Sequence, residues 1–499
     1  MGIDSLAFIA FFLVSLILYY TAAEAGRLYV LVGLSFVFVA SYDIRGILFL
    51  AGTSLLIWYG ALQIRKVGES GEKPSAVKQK KRRILITCNA VLVGTLVLLK
   101  YLAPAAISLI APGGVMKVLI PLGISYYTLQ AVSYLVDVYW GRVEAEERYA
   151  RLLLYICYFP RAVQGPICRY GDFAKEAFGK SHALNMKNLK FGVQLMLWGV
   201  FKSYVVAGRI AAHVDYAFHG SDTAYGWAAF FGLMLFGIEL YCNFSGGIDI
   251  IRGASQCFAI ELPDNFSQPY FSRSLGDFWR RWHITMGTWI KDYVFYPFSM
   301  SKPVSKCKKK AKKHMPAKTA NRLAMAAANV VAFLIVGIWH GSGGNFALWG
   351  LYNGLILAFS ELMADVYKRG RTLCRINEKS AGWYLFSMAR TFLIVTIGWC
   401  TDCASSFMGS LGILGNMLHF GRTNLEILKY GSSSALLLLI LPVGILLAVD
   451  ILHEKKISIR EKIDAWPIAC QMLFWVAVIQ AIALLGGNKT GGGFIYANY

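Results

Sequence analysis

The chain has 499 residues, 57% of them hydrophobic, and 50 Lys or Arg against 28 Asp or Glu give it a formal net charge of +22. Its mean hydropathy is +0.50, and apolar runs recur at the ~20-residue length a bilayer-crossing helix needs, which excludes a soluble enzyme and predicts an all-α, polytopic membrane protein. The positive charge is confined to short stretches between apolar runs, where it sets membrane orientation, so no nucleic-acid partner is needed to explain it.

Ile3 to Tyr20 is apolar apart from Asp4 near its start and ends before Ala23-Glu24-Ala25, and no Lys or Arg precedes it. It therefore lacks the basic region of a signal peptide and reads as a retained first span. Spans near 28–42 and 46–62 lead to the polar loop Gln63 to Arg83, which holds eight Lys or Arg against two Glu. That loop is expected in the cytoplasm, and the N-terminus, three spans back, outside. After spans near 84–101 and 115–138, the apolar stretch Leu152 to Cys168 is interrupted by Pro160, Gly165 and Pro166. A re-entrant or surface-lying segment fits that interruption better than a continuous helix. Spans near 189–212 and 225–243 flank a short loop with Asp215 and Asp222, expected outside.

The region 244–300 is too polar for a simple crossing and reads as re-entrant and interfacial helices on the cytoplasmic side. Lys302 to Arg322 carries nine Lys or Arg and no acid, the strongest inside signal in the chain. Spans near 323–340 and 346–365 form a hairpin with an outward bend, since the basic segment Lys368 to Lys379 lies inside. Spans near 383–408, 434–452 and 466–486 bring the count to roughly 11–12 transmembrane helices in one domain over 1–499. Residues 110–365 are the expected catalytic core, with N-terminal helices over 1–109 and C-terminal helices and an outside tail over 366–499. No internal repeat is visible, which disfavours the inverted-repeat architecture of many transporters. The ten cysteines are scattered, mostly within apolar runs, and predict no disulfide framework. Cys400 and Cys403 have C-x-x-C spacing but no second pair or nearby histidine, so no metal site is expected.

Two polar stretches stand out. One runs from Asn265 to Pro297 and contains Asp277, Trp279, Arg280 and His283; the other, Gly337 to Gly350, reads GIWHGSGGNFALWG and contains Trp339, His340 and Asn345. An ionisable side chain at the edge of a membrane span is costly and marks a functional candidate. A histidine on a helix end and an Arg–Asp structural pair are the plain alternatives for these residues. His213, His219, His314, His419 and His453 read as solvated loop residues.

The segments PLGISYYTLQAVSYLVDVYWG (121–141), YFPRAVQGPI (158–167), CNFSGGIDIIRGAS (242–255), LPDNFSQPYFSRSLGDFWRRWH (262–283) and GIWHGSGGNFALWGLYNG (337–354) together resemble the membrane-bound O-acyltransferase family. They are most similar to its bacterial branch, which acts in alginate O-acetylation and in D-alanyl transfer to teichoic acids. The resemblance implies acyl transfer to a hydroxyl, with His340 at the family's catalytic histidine and His283 at a second functional histidine. Asn243 and Gly247 stand where the alginate-type branch has an aspartate and a tyrosine.

Such a reaction needs a base near the hydroxyl, donors for the developing oxyanion and exclusion of water. Burial disfavours the cationic form of a histidine and leaves it able to accept a proton, which suits His340 as the base, with His283 as orienter or thioester contact. Trp279, Arg280, Asp277, Trp339 and Asn345 are the expected substrate neighbours. Tyr499, in a tail expected outside, is placed to position the acceptor or carry the acyl group. The donor is expected to be a cytosolic acyl thioester, acetyl-CoA or an acyl carrier protein, with no tightly bound cofactor. The acceptor is an extracytoplasmic polysaccharide or a partner acyltransferase, and the setting is the lipid of the cell membrane. A D-alanyl transferase and, in a different class, a small-solute or lipid transporter are the competing readings.

Overall fold

The computed structural model describes residue 2 and residues 5–110, 120–219, 223–426 and 433–486. The expected tail with Tyr499 lies outside the described residues. All regular structure among those described is helical, apart from one antiparallel bridge between Phe266 and Trp282. The chain divides into two compact units: Met1–Gly199 with Gly247–Pro263, and Val200–Gly246 with Asp264–Ile495.

The first unit is built from α1 (Leu6–Thr21), α2 (Arg27–Ala40), α3 (Gly46–Gly68), α4 (Pro74–Val97), α5 (Ile124–Trp140), α6 (Tyr149–Cys157) and α7 (Tyr170–Phe178). Its core is aromatic. Phe258 meets Phe12, Phe159 and Tyr19 edge-on at centroid distances of 5.8, 5.8 and 5.2 Å. Such pairs contribute about 0.5–1.5 kcal/mol each beyond the area they bury. The interrupted apolar stretch after α6 leaves the helix at Tyr158, makes one tight turn over Phe159–Arg161 and continues irregularly to α7. Pro160 has no N–H to continue a ladder. Ser35 instead accepts a bond from the Phe159 N–H at 3.1 Å, and Tyr158 and Ser255 share one at 2.9 Å.

The long helix α8 (Trp227–Cys257) contributes its first part to the second unit and its last part to the first. It continues well past 243, through the polar run that the sequence assigned to an interfacial region. Its side chains there are buried and paired, which removes the cost of keeping them in a helix. Lys202 donates to Ser245 at 2.8 Å, and Arg252 Nε donates to the Leu262 carbonyl at 3.2 Å.

The second unit adds α9 (Leu275–Arg281), α10 (Ile284–Ile290), α11 (Ala317–His340), α12 (Gly344–Leu362), α13 (Ala381–Gly398), α14 (Ser433–Glu454) and α15 (Ile468–Leu485). Helices α11 and α12 form a close hairpin. A Cβ at Gly350 would sit 2.5 Å from the Phe333 carbonyl, and one at Gly337 2.3 Å from that of Phe346. Small residues at a crossing are how helices in lipid gain close packing. The end far from the bend is clasped by Asp365, which accepts from Arg322 at 2.7 Å and Lys318 at 2.8 Å.

Among the described residues, seven helices combine the length and hydropathy of a membrane span, or eight if α12 and the helix bent from it by 60° count together. The larger number expected from apolar runs includes shorter helices such as α2 and the 16-residue α1. His213 and His453, expected in solvated loops, lie within the helices Gly208–His219 and Ser433–Glu454, and His213 is 3% exposed.

Candidate active site

The polar stretch from Asn265 folds back on itself. The Ser267 N–H donates to the Arg281 carbonyl at 2.9 Å, and the Ile284 N–H to the Asn265 carbonyl at 3.0 Å. Between these strands of contact, Ser274 caps α9 by accepting from the Asp277 N–H at 3.1 Å. Helix α9 ends where Trp282 turns extended, and His283 then takes φ 48° and ψ 51°, in the left-handed region. Histidine is among the few side chains enriched in that conformation. Two short helices thus meet at a histidine whose backbone is held from both sides.

The Asn265 side chain fixes the ring as well. Its Oδ1 accepts from the Thr285 N–H at 3.1 Å and the Thr285 hydroxyl at 2.9 Å, and lies 3.2 Å from His283 Nδ1. A backbone N–H can only donate, so the atom facing it is the amide oxygen, and His283 Nδ1 must carry the proton. In the neutral ring, Nε2 is then the bare lone pair. That atom is buried and has no hydrogen-bond partner among the described residues. Burial pushes the His283 pKa down to about 3. At neutral pH Nε2 therefore accepts a hydrogen bond and has none to donate, while Nδ1–H stays committed to Asn265.

A row of rings joins this histidine to the other. Phe244 stands edge-on to His283 at 4.9 Å, Phe266 meets Phe244 at 5.0 Å, and Trp282 meets Phe266 at 5.1 Å. Trp282 stacks on Phe278 at 5.4 Å, and Trp279 packs on Phe278 at 5.1 Å. Trp349 then touches Trp279 at 5.3 Å and His340 at 5.4 Å. His340 is the last residue of α11 and is 5% exposed; the helix ends because Gly341 is extended. Trp339 packs against the His340 ring at 5.1 Å.

The polar residues expected beside the histidines are occupied elsewhere. Asp277 pairs with Arg280 at 3.1 Å, and the Arg280 side chain is 71% exposed. Arg281 reaches Asp277 at 3.5 Å and Glu454 at 2.7 Å, which fastens α9 to α14. Asn345 Nδ2 donates to the carbonyls of Thr401 at 3.0 Å and Ala404 at 3.1 Å, which holds the hairpin bend. The structure thus brings Trp279 and His340 together on Trp349, with Trp339 against the His340 ring, and gives Asp277, Arg280 and Asn345 structural bonds. Sequence reasoning missed Asn265, Thr285, Phe244 and Trp349. Asn265, Thr285 and Trp349 all lie inside the polar stretches; Phe244 lies outside them, an ordinary helix residue with no signal of its own.

The family model for membrane-bound O-acyltransferases matches residues 147–397, a segment that contains both histidines and the aromatic row between them. The chain belongs to this family, and it is an O-acyltransferase of the membrane. It is 28% identical over 319 residues to a probable alginate O-acetylase of Pseudomonas syringae pv. tomato, covering 64% of this chain and 56% of that one. It is 26% identical over 335 residues to a peptidoglycan O-acetyltransferase of Helicobacter pylori, covering 62% and 59%. A teichoic acid D-alanyltransferase of Bacillus subtilis is 29% identical over 248 residues, covering 47% and 58%. The matched segments thus span little more than half the length of these three relatives.

Proposed function

We propose that the chain moves an acyl group, acetyl in the first reading, from a cytosolic thioester to hydroxyls of an exported cell-surface polysaccharide. The names of the alginate and peptidoglycan relatives support acetyl and a polysaccharide acceptor. The observation that carries the reading is the pair of buried histidines on one aromatic row, one of them with a bare Nε2 locked by Asn265.

In this proposal His340 takes the proton from the acceptor hydroxyl as its oxygen attacks the thioester carbonyl. The carbon–sulfur bond then breaks, and the imidazolium returns that proton to the departing thiolate. His283 accepts a hydrogen bond from the substrate and orients it, since its Nε2 has nothing to donate. The aromatic row keeps water from the thioester. The basic segments 63–83 and 302–322 lie in the cytoplasm in this reading and draw in the acidic donor, coenzyme A or a carrier protein. Tyr499 remains a proposed acceptor contact, testable by removing residues 496–499. The B. subtilis relative favours D-alanine as a second reading for the transferred group.

Mild alkali releases ester-linked acids from surface polymers, and the product identifies the group. Acetate released from cells with the protein, and absent with His340→Ala at equal membrane abundance, is the expected result. D-alanine in its place selects the second reading, and no difference between the two strains overturns both.

A further inference from the structure

The first unit contains a buried cation that, among the described residues, has the neutral Cys168 thiol beside it and no carboxylate paired to it. Arg161 closes the turn after α6 and is 2% exposed. Its Nη2 donates to the Tyr155 carbonyl, and the guanidinium lies 4.8 Å from the Tyr155 ring and 4.4 Å from that of Phe173. Its Nε and Nη1 are buried and have no hydrogen-bond partner among the described residues. Gln164, one turn on and fully buried, has both amide atoms in the same condition.

Arginine does not escape burial by losing its proton. Nor do the ionisable neighbours supply the missing charge. Burial pushes the Cys157 thiol up to about 12 and raises Cys168 and Tyr155 as well, so all three are neutral. The nearby Asp172 is exposed and is not among the partners of Arg161. Stacking on two rings offsets only part of the cost of a buried, uncompensated charge.

A cavity of ≈ 10 Å³ lies against this same side chain, walled by Arg161, Tyr126, Tyr127, Gln130 and Cys157. That is room for one water-sized occupant. A chloride ion displaces roughly twice the volume of a water, so it enters with a shift of the surrounding side chains by a few tenths of an ångström, whereas a carboxylate or a phosphate needs more room still. A water would satisfy donors but leave the charge standing.

We propose that this cavity binds a single halide-sized anion, chloride in the cell, held by Nε and Nη1 of Arg161 as the counter-charge of that guanidinium. The site lies in the first unit and both histidines in the second, and it stands whether or not the proposed acyl transfer is correct.

The test uses the full-length protein in detergent, melted by tryptophan fluorescence in sodium chloride, bromide, acetate or isethionate at one ionic strength. Chloride and bromide should raise the melting temperature above isethionate, by an amount that grows with the logarithm of halide concentration. Arg161→Gln should abolish the difference. Equal melting in all four salts, stabilisation by acetate alone, or a shift that persists in the variant would overturn the proposal. Should the variant fail to accumulate, anomalous scattering from bromide-soaked wild-type crystals decides instead. A peak within bonding distance of Arg161 Nε and Nη1 supports the site, and density with no anomalous signal there refutes it.

Discussion

A proton balance at His283 can be read as stability. The unfolded chain binds a proton at this histidine below pH 6.5, whereas the folded chain, with its pKa pushed to about 3, does not. Above pH 6.5 both states are neutral there and the group has no effect. As pH falls toward 3 the unfolded state alone gains the proton, so stability is lost at about 1.4 kcal/mol per pH unit. Between pH 7 and pH 5 the loss is about 2 kcal/mol, or roughly thirtyfold in the unfolding equilibrium. His283→Asn is the matched control, because its amide N–H reaches toward the same Asn265 oxygen and does not titrate. Unfolding of both proteins in detergent, followed at pH 7, 6 and 5, isolates the histidine, since every other titrating group cancels in the difference. Wild type should lose about 2 kcal/mol more than the variant over that range. Parallel acid slopes would refute both the burial and the bare Nε2 on which the proposed role rests.

Asn265→Ala removes the one acceptor that serves two Thr285 donors and His283 Nδ1; it should cost about 1–3 kcal/mol in unfolding free energy and, by freeing the tautomer, lower acyl transfer at least tenfold. Gly350→Ala forces a Cβ to within 2.5 Å of the Phe333 carbonyl, while a Cβ at Gly412 meets nothing within 4 Å, so the first should lower the melting temperature and the second leave it unchanged or raise it. Cys307 is exposed in the basic segment 302–322; with Cys374 and Cys470 changed to Ser, an impermeant maleimide should label it only in permeabilised cells, and labelling in intact cells would invert the proposed topology.

Much of the fold was legible because bilayer-length apolar runs are a strong, additive signal. The hairpin of α11 and α12 fell within a few residues of its expected limits, since His340 and the glycines after it end the apolar run abruptly. The passage through Asn243 to Arg252 was not legible. Its polarity reads as an interfacial region, yet partners such as Lys202 and the Leu262 carbonyl let it stay helical. The histidines were legible as functional candidates through the family resemblance, but their supports were not. Asp277 and Arg280 carried chemistry in their side chains and turned out to hold each other. Asn265, an unremarkable amide eighteen residues before His283, governs its ring. A polar side chain declares what it is able to do; only the contact order of the folded chain decides for whom.

The backbone at His283 yields one further expectation. A left-handed conformation costs an L-residue about 1–2 kcal/mol, a cost glycine does not bear. His283 adopts it at φ 48° because the bond from Ile284 N–H to Asn265, one residue on, and the bridge between Phe266 and Trp282, one residue back, leave no other path. His283→Ala and His283→Gly both lose the ring, its contact with Phe244 and its bond to Asn265. They differ only in whether a Cβ must be carried through the turn and in the freedom of the unfolded chain, which disfavours glycine by about 0.5–1 kcal/mol. If the local conformation is held as rigidly as these bonds imply, the glycine variant should be as stable as the alanine variant or more so, by up to about 1.5 kcal/mol. In an ordinary helical position the order is reversed, with alanine ahead by about 1 kcal/mol. Paired melts of the two variants read the sign directly, and an alanine variant clearly more stable than the glycine one would show that the turn relaxes to a right-handed backbone once the ring is gone.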